Sequence, residues 1–392
     1  MDLLFIYYSE RVYEDEYGNL YAGGNFPQEV WDRYLNISDS LSVIMRKAGK
    51  RVRKTQALQS LERIDTDRIH MILLPDLYAG LHGFFNLHNR NRIKVLTNRQ
   101  ISRCDAVIIR EAHSPLMRMV RISGVPYLTE VIGSPWDICW NHGLKGRILA
   151  LPEYLKARYG IAQSQWVLYV TKRYLQKKYP SFGHQAAVCD AAVPDVSEEI
   201  LKKRLKKIDL QKKTLVIGTA AALDVSYKGQ KYVIQALAEL KKQGIRYEYQ
   251  LAGAGSGRKL LKEAKKHGVE KQVKILGQIT HGQILEWLET IDIYINPSLT
   301  EGLPRAVVEA MSYGLPCFAS DAGGHPELLE RRALFKAGSV PQIVRRLRSM
   351  TSSQMKKMAV RNFRKAEDYK KEKLDRKRNL FFRQFLRAVQ NR

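Results

Sequence analysis

A chain of 392 residues with 45% hydrophobic and 27% charged residues has the material for two or three ordinary domains, and its composition argues against a disordered polymer. Its 66 Lys and Arg against 39 Asp and Glu leave a net charge of +27, which calls for an acidic partner: nucleic acid, an anionic membrane surface or a phosphorylated small molecule. No apolar run is long enough to cross a bilayer, and Cys104, Cys139, Cys189 and Cys317 form no C-x-x-C pair, which argues against a zinc ribbon or a disulfide framework.

In chain order, residues 1–10 carry no basic leader or small-residue cleavage site and read as a first strand, so a cytoplasmic protein is expected. Strands are predicted at 3–8, 42–45, 69–74, 106–109, 127–132 and 166–170, with helical stretches between them. A break falls near 191–209, around Pro194, and a second alternating series follows. Its strands are predicted at 214–219, 247–252, 273–276, 291–295 and 317–320, and its helices near 229–243, 257–267, 281–290, 303–313 and 340–349. After Thr351 the chain reads as basic helix to its end. The pattern predicts an α/β protein with two Rossmann-like domains facing across a cleft: residues 1–193, 194–365, and a basic helical tail 366–392. Ligands of such sheets sit beyond the carboxyl ends of the strands, which makes the cleft the expected site.

The charge is uneven. Residues 345–392 hold 17 Lys and Arg against 4 acids, and two further clusters are Arg46, Lys47, Lys50, Arg51, Arg53, Lys54 and Lys202, Lys203, Arg204, Lys206, Lys207. No zinc finger, RRM signature or basic zipper accompanies them, so nucleic acid is not expected as the partner. Basic surface near anionic lipid fits better.

The stretch with the most chemistry is TEGLPRAVVEAMSYG, residues 300–314. Pro304 suits the first turn of a helix, which places Glu301 in the loop before it and Glu309 about two turns along. The N–H groups of Gly302 and Leu303 at that helix start suit an anion. GTAAALDVSYKG, residues 218–229, sets Lys228 in a loop between strand and helix, where it can meet a phosphate as a point charge. LAGAGSG, 251–257, has the spacing G-x-G-x-G rather than that of a dinucleotide fingerprint. YAGGNF, 21–26, and DAGGHPE, 321–327, each place a glycine pair after a strand.

In this order the motifs resemble glycosyltransferase family 4, of the GT-B fold, over residues 218–327. The GAGSG turn, DIYINPS, EGLPRAVVEAM and GLPCFASDAGGHPEL all contribute. In the first half, PYLTEVIGSPWD and YVTKRYLQKKYP are similar to bacterial capsule and exopolysaccharide members. The resemblance implies a retaining transferase that needs no metal or other cofactor and uses a nucleotide-sugar donor, with UDP preferred. It implies that Glu309 bonds the ribose, Glu301 the transferred sugar and Lys228 the diphosphate. Backbone near Gly302, Leu303, Gly23 and Gly24 would support the diphosphate, and Ile275 and Gln278 would meet the base. The implied acceptor is a polyprenyl-diphosphate saccharide at the inner leaflet, with the basic clusters holding the protein to anionic lipid and the tail helix packing back on the first domain.

Two departures from the family stand out. The Arg expected shortly before Lys228 is absent where the chain reads Ala221, Ala222, Leu223, leaving Arg305 or Lys231 to compensate. The family's His after the late first-half strand is absent near Ile132, leaving Glu130 as the nearest polar candidate for catalysis and His113 as its rival. These losses keep a second expectation open, a non-catalytic binding subunit. An epimerase of similar shape has no matching His/Asp/Glu set.

Overall fold

The computed structural model describes residues 1–23, 26–77, 86–110, 112–193, 197–210 and 212–391, with only the backbone of Gln59 and Ser60. The first sheet is built from β1 (Asp2–Glu14), β2 (Leu20–Gly23), β3 (Ser40–Lys47), β4 (Leu61–Arg63), β5 (His70–Leu74), β6 (Ala106–Arg110), β7 (Tyr127–Val131), β8 (Trp166–Tyr169) and β9 (His184–Ala187). Seven of these run parallel in the order β5-β3-β1-β6-β7-β8-β9. Helices cover both faces of a parallel sheet, so its strands carry continuous apolar runs; Leu3–Ile6 and Ala106–Ile109 are almost wholly buried.

β1 outruns the expected strand. Its register against β3 shifts between Tyr7 and Arg11, and its far end pairs antiparallel with β2, which pairs with β4. The buried Asp15 makes this hairpin. Its carboxylate accepts from the N–H groups of Tyr17 and Asn19 at 2.9 and 2.8 Å and from the Tyr21 hydroxyl at 3.0 Å. Tyr21–Gly23 of YAGGNF therefore lie within the antiparallel strand β2 rather than in a loop after the first parallel strand. Gly23 ends β2, and Gly24 lies outside the described residues.

The second sheet holds β10 (Leu215–Ala220), β11 (Tyr247–Ala252), β12 (Val273–Gly277), β13 (Ile293–Asn296), β14 (Cys317–Ser320) and β15 (Leu334–Phe335). All are parallel, in the order β12-β11-β10-β13-β14-β15. Each sheet thus reverses direction beside its first strand, at β1/β6 and at β10/β13, which are the points where Rossmann-like sheets bind ligands.

The expected linker at Pro194 lies outside the described residues, but the chain crosses between the sheets beside it. The return crossing runs alongside: Val193 N–H donates to Tyr369 O at 3.0 Å, and Lys371 N–H donates to Val193 O at 3.2 Å. This pairing divides the helical tail into Ser352–Ala366 and Lys371–Gln390. The former docks on the second sheet's helices, where Asn362 donates to Leu315 O at 2.8 Å. The latter docks on the first half. Phe382 meets Tyr34, and Phe381 and Phe385 meet Trp166, with ring centroids 6.1, 5.4 and 5.8 Å apart.

A buried charge network joins tail and sheet. Asp190 accepts from Arg110 and Arg33 at 2.8 Å each and faces Arg378 at 3.5 Å. Burial disfavours the Asp190 charge, yet Arg110, Arg33, Arg378 and Arg305 outweigh it and hold the carboxyl well below the usual range. Arg110 also donates to Glu130 at 2.8 Å, and Tyr34 donates to the same carboxylate.

Much of the basic charge is likewise consumed by the fold. Arg46 is buried and pairs with Asp76 at 2.9 Å, while Lys47 and Arg51 pair with Glu14 at 2.9 and 2.7 Å. The cluster that looked free of acids therefore finds them on distant residues. Arg204 and Lys207 donate to the last carbonyls of the helix His281–Thr290 and to Ile291, the place where cations suit a helix end.

Breaking a buried ion pair by removing one partner costs about 3–5 kcal/mol. Arg110→Met is expected to lower the unfolding free energy in urea by about that much. The double variant Arg110→Met, Glu130→Gln should recover part of the loss, because no carboxylate at position 130 is then left without its cation.

Candidate functional site

The two switch points face each other across a cavity of about 240 Å³. From the first half come Tyr7 just before the register shift of β1, Ala112 and His113 after β6, and the segment from Val131 to Pro135 at the end of β7. The helices Pro135–Trp140 and Gly143–Ala162 close one side with Ile138, Ala157 and Ile161. The second half contributes Tyr227 and Lys228 after β10 and Thr300, Glu301 and Gly302 after β13.

Two glycines shape this site, one where the halves meet and one within the second half. A Cβ on Gly302 would stand 2.3 Å from the carbonyl oxygen of Ile132 in the opposite half. Gly229 has φ +75°, and a Cβ there would stand 2.0 Å from Pro297 O. Lys228 is held in reach by this turn, and its ammonium donates to Glu301 at 2.8 Å. Burial opposes the charge of Glu301, but the ammonium of Lys228, with help from His325 and Ser298, outweighs it and keeps the carboxyl below its ordinary value.

Pro304 stands at the N-cap, one residue ahead of its expected place in the first turn, and the helix runs Arg305–Ser312. Glu309 is buried on that helix and accepts from His281 Nε2 at 3.1 Å. His281 is the first residue of the helix His281–Thr290, which Thr280 and Gln283 fix with a capping box. The hydrogen bond to Glu309 raises the His281 pKa above 6.5, against a smaller opposing effect of burial. Neither Glu309 nor His281 is in the cavity wall; motif reading missed the pairing, because a lone His at a helix start carries no signal until Glu309 is seen beside it.

The DAGGHPE segment is more than a turn. Gly324 N–H donates to Gly302 O at 2.8 Å, which backs the Glu301 loop. Glu327 accepts from the N–H groups of Lys172, Arg173 and Tyr174 at 2.6, 2.9 and 2.9 Å, at the start of the first-half helix Tyr174–Lys178. His325 is fully buried and donates through Nδ1 to Ala322 O at 2.8 Å. Burial pushes its pKa down to about 4, so it is neutral at pH 7.

The remaining expected residues are spread out. Arg305 is half-buried, and its charge acts on both Asp190 and His281, which places it at the meeting of the two halves. Lys231 is exposed over the Tyr232 ring at 4.9 Å and is not in the cavity wall. Ile275 is half-buried against the GAGSG turn, next to Gly257, and Gln278 is exposed just beyond β12. Gly23 is paired with Leu61 in the hairpin. Glu130 does not reach the cavity wall: it is buried in the Arg110 network, with Tyr34 as its other partner. His113, its rival, does line the wall. Among the described residues no group of three His, Cys, Asp or Glu side chains is placed to hold a metal ion.

Two parallel sheets of Rossmann order, joined across a cleft and crossed back by a C-terminal helix, define a GT-B fold. Solved structures agree over the whole chain. HepE of Anabaena in complex with UDP-glucose superposes with a TM-score of 0.64 at 16% identity, covering all of both chains. Sucrose-phosphate synthase of Thermosynechococcus elongatus gives 0.66 at 12%, covering 99% of this chain and 100% of that one. Residues 200–368 match the family described as glycosyl transferases group 1. The chain is similar to Protein CapJ of Staphylococcus aureus, 29% identical over 370 residues, 90% of this chain and 88% of the relative. It is also similar to the amylovoran biosynthesis glycosyltransferase AmsK of Erwinia amylovora, 34% identical over 176 residues, 43% and 42% of the two chains.

The His281–Glu309 pair carries a pH signature. A raised folded-state pKa adds stability that is fully present below pH 6.5 and is lost as pH climbs through the raised value. The melting-temperature difference between wild type and His281→Ala is expected to be largest near the acid end of a pH 6–9 series (about that span) and to vanish at the alkaline end.

Proposed function

We propose that this protein transfers a sugar, with retention and without a metal, from a nucleotide-sugar donor, UDP-linked by preference, to a lipid-linked saccharide during bacterial surface-polysaccharide synthesis. The observation that carries the reading is the convergence of Lys228, Glu301 and Gly302, in the loops ahead of their helices, on one cavity between two switch points. The names of AmsK and of the UDP-glucose complex of HepE support the pathway and the donor class.

In the proposed reaction the bond between the anomeric carbon and the diphosphate oxygen breaks, and a bond to the acceptor oxygen forms. The acceptor proton passes to the departing diphosphate. Charge develops on that diphosphate, and a preorganised ammonium and helix start stabilise it where it appears. Lys228 exchanges its carboxylate partner for phosphate, and Glu301 turns to sugar hydroxyls. Glu309 exchanges His281 for the ribose diol. His113, in the cavity wall, takes the place expected for Glu130 as the first-half polar group beside the sugar. The acceptor's lipid places the protein on the inner face of the membrane.

Thermal stabilisation by UDP-, GDP-, ADP- and dTDP-sugars tests the donor site. A ligand at a hundred times its Kd stabilises the folded state by about 2.7 kcal/mol. One nucleotide class is expected to raise the melting temperature, and Lys228→Ala and Glu309→Ala should each abolish the shift, while Glu130→Gln should lower the starting Tm and keep the shift. Absence of any shift, or a shift that survives both alanine variants, would sink the reading and favour a binding subunit without activity. Transfer unaffected by EDTA and an NMR-assigned anomer check the remaining terms.

A further inference from the structure

The helix Gly143–Ala162 has two apolar faces. Ala150, Ala157, Gly160 and Ile161 are buried against the first half, so close that a Cβ on Gly160 would stand 2.8 Å from Ala112 O. The opposite face carries Leu144, Ile148, Leu151, Leu155 and Tyr159, spaced four, three, four and four residues apart. At about 100° per residue these five form one stripe roughly 80° wide. All are exposed, Leu144 and Ile148 by 78% and 77% of their surface. Lys145 and Lys156 flank the stripe on one side, Arg147 and Arg158 on the other, and all four are exposed. The helix's one acid, Glu153, is neutralised by Lys156 at 2.7 Å.

Aromatic rings with cations above them extend this surface. Arg147 lies over Trp140 at 5.4 Å, Arg121 over Tyr159 at 4.5 Å, and Trp140 stacks on Trp136 at 5.3 Å. Ile122 and Ile138 stand exposed nearby in sequence to these rings. Among the described residues no helix is long and apolar enough to cross a membrane. A stripe of large apolar side chains between two basic rims is instead the geometry of a helix that lies in the plane of an anionic membrane surface.

We infer that this helix is the surface by which the protein docks on an anionic bilayer, its Leu144–Ile148–Leu151–Leu155–Tyr159 stripe entering the acyl boundary and its four flanking cations meeting lipid phosphates. A second copy of the chain fits worse, because apposing two such stripes brings basic rims against basic rims. The inference rests on the membrane-bound acceptor proposed above and names the face that meets it. Ala157 and Ile161 of the same helix, and Ile138 of the neighbouring one, line the cavity, so docking here sets the cavity mouth beside the lipid.

Co-sedimentation with vesicles of equal phosphatidylcholine and phosphatidylglycerol tests it, alongside vesicles of phosphatidylcholine alone. Wild type is expected on the anionic vesicles. Ile148→Ser with Leu155→Ser should weaken partition about tenfold or more while leaving the nucleotide-sugar melting shift unchanged. A tail variant, Lys377→Ser with Arg383→Ser, should partition nearly as wild type. If the stripe variant binds as wild type and the tail variant is released, the assignment of this helix falls and the membrane reading stands. If wild type binds neither vesicle, both fall. If wild type sediments as a dimer that the stripe variant dissociates, and does so without binding vesicles, the occupant is a second copy and the inference is overturned.

Discussion

The cavity depends on how close the two halves are allowed to come. Backbone meets backbone at Gly302 and Ile132, where no side chain fits. Beside that contact the Glu327 carboxylate reaches across from the second half and accepts from three successive N–H groups of the first. Those N–H groups begin a helix and have no partner within it, so a carboxylate satisfies orphan donors and favourable partial charge together. The chain's two crossings, paired at Val193 and Lys370, tether the halves at a second place. Fixed at both, two independent sheets present their switch points to one volume.

Two acids withdrawn from water, Glu301 partly and Glu309 wholly, would resist desolvation if left alone. Each is instead matched by a donor of the chain: Glu301 by the Lys228 ammonium, Glu309 by the His281 imidazole. A ligand that engages these acids exchanges partners rather than filling a neutral hole. The exchange is direct for Lys228, whose ammonium serves a carboxylate and a phosphate equally well as a point charge. It differs for His281, whose hold on Glu309 weakens as its proton is lost. The rigidity of His281 has its own source. Its helix is capped at the start by Thr280 and Gln283 and clamped at the end by Arg204 and Lys207.

The second half was legible because its functional groups lie in contiguous motifs: a loop Lys, a glycine turn and two glutamates on one loop and helix. Local order there dictates spatial order. The first half was less so. Asp15 bends β1 into a hairpin through contacts that no hydrophobic period announces. Glu130 sits on a strand that ends at the cavity, but its partners Arg110 and Tyr34 lie 20 and 96 residues away and draw it into the protein. His113 reaches the wall from a loop with no motif. The acids that neutralise Arg46, Lys47 and Arg51 are similarly remote, at Asp76 and Glu14. Pairings of this kind are properties of topology, and a single sequence shows only one partner at a time.

The same logic bears on the excess charge. Clusters read from sequence as free basic surface turn out to hold helix ends, buried carboxylates and the tail crossing, as Arg204, Arg46 and Arg378 do. Exposed charge available to an acidic partner includes Lys50, Arg53, Lys54, Lys202, Lys203 and Lys206, the outer face of the tail helix, with Lys377 and Arg383, and the rims of the Gly143–Ala162 helix. The rims of the Gly143–Ala162 helix flank a continuous stripe of large apolar side chains. Charge alone attracts a surface reversibly and is screened by salt within a Debye length of about 8–10 Å, whereas apolar burial is not screened. A protein that must stay at a lipid surface through changes in ionic strength needs both, and on this helix they stand side by side, one wall away from Lys228 and Glu301.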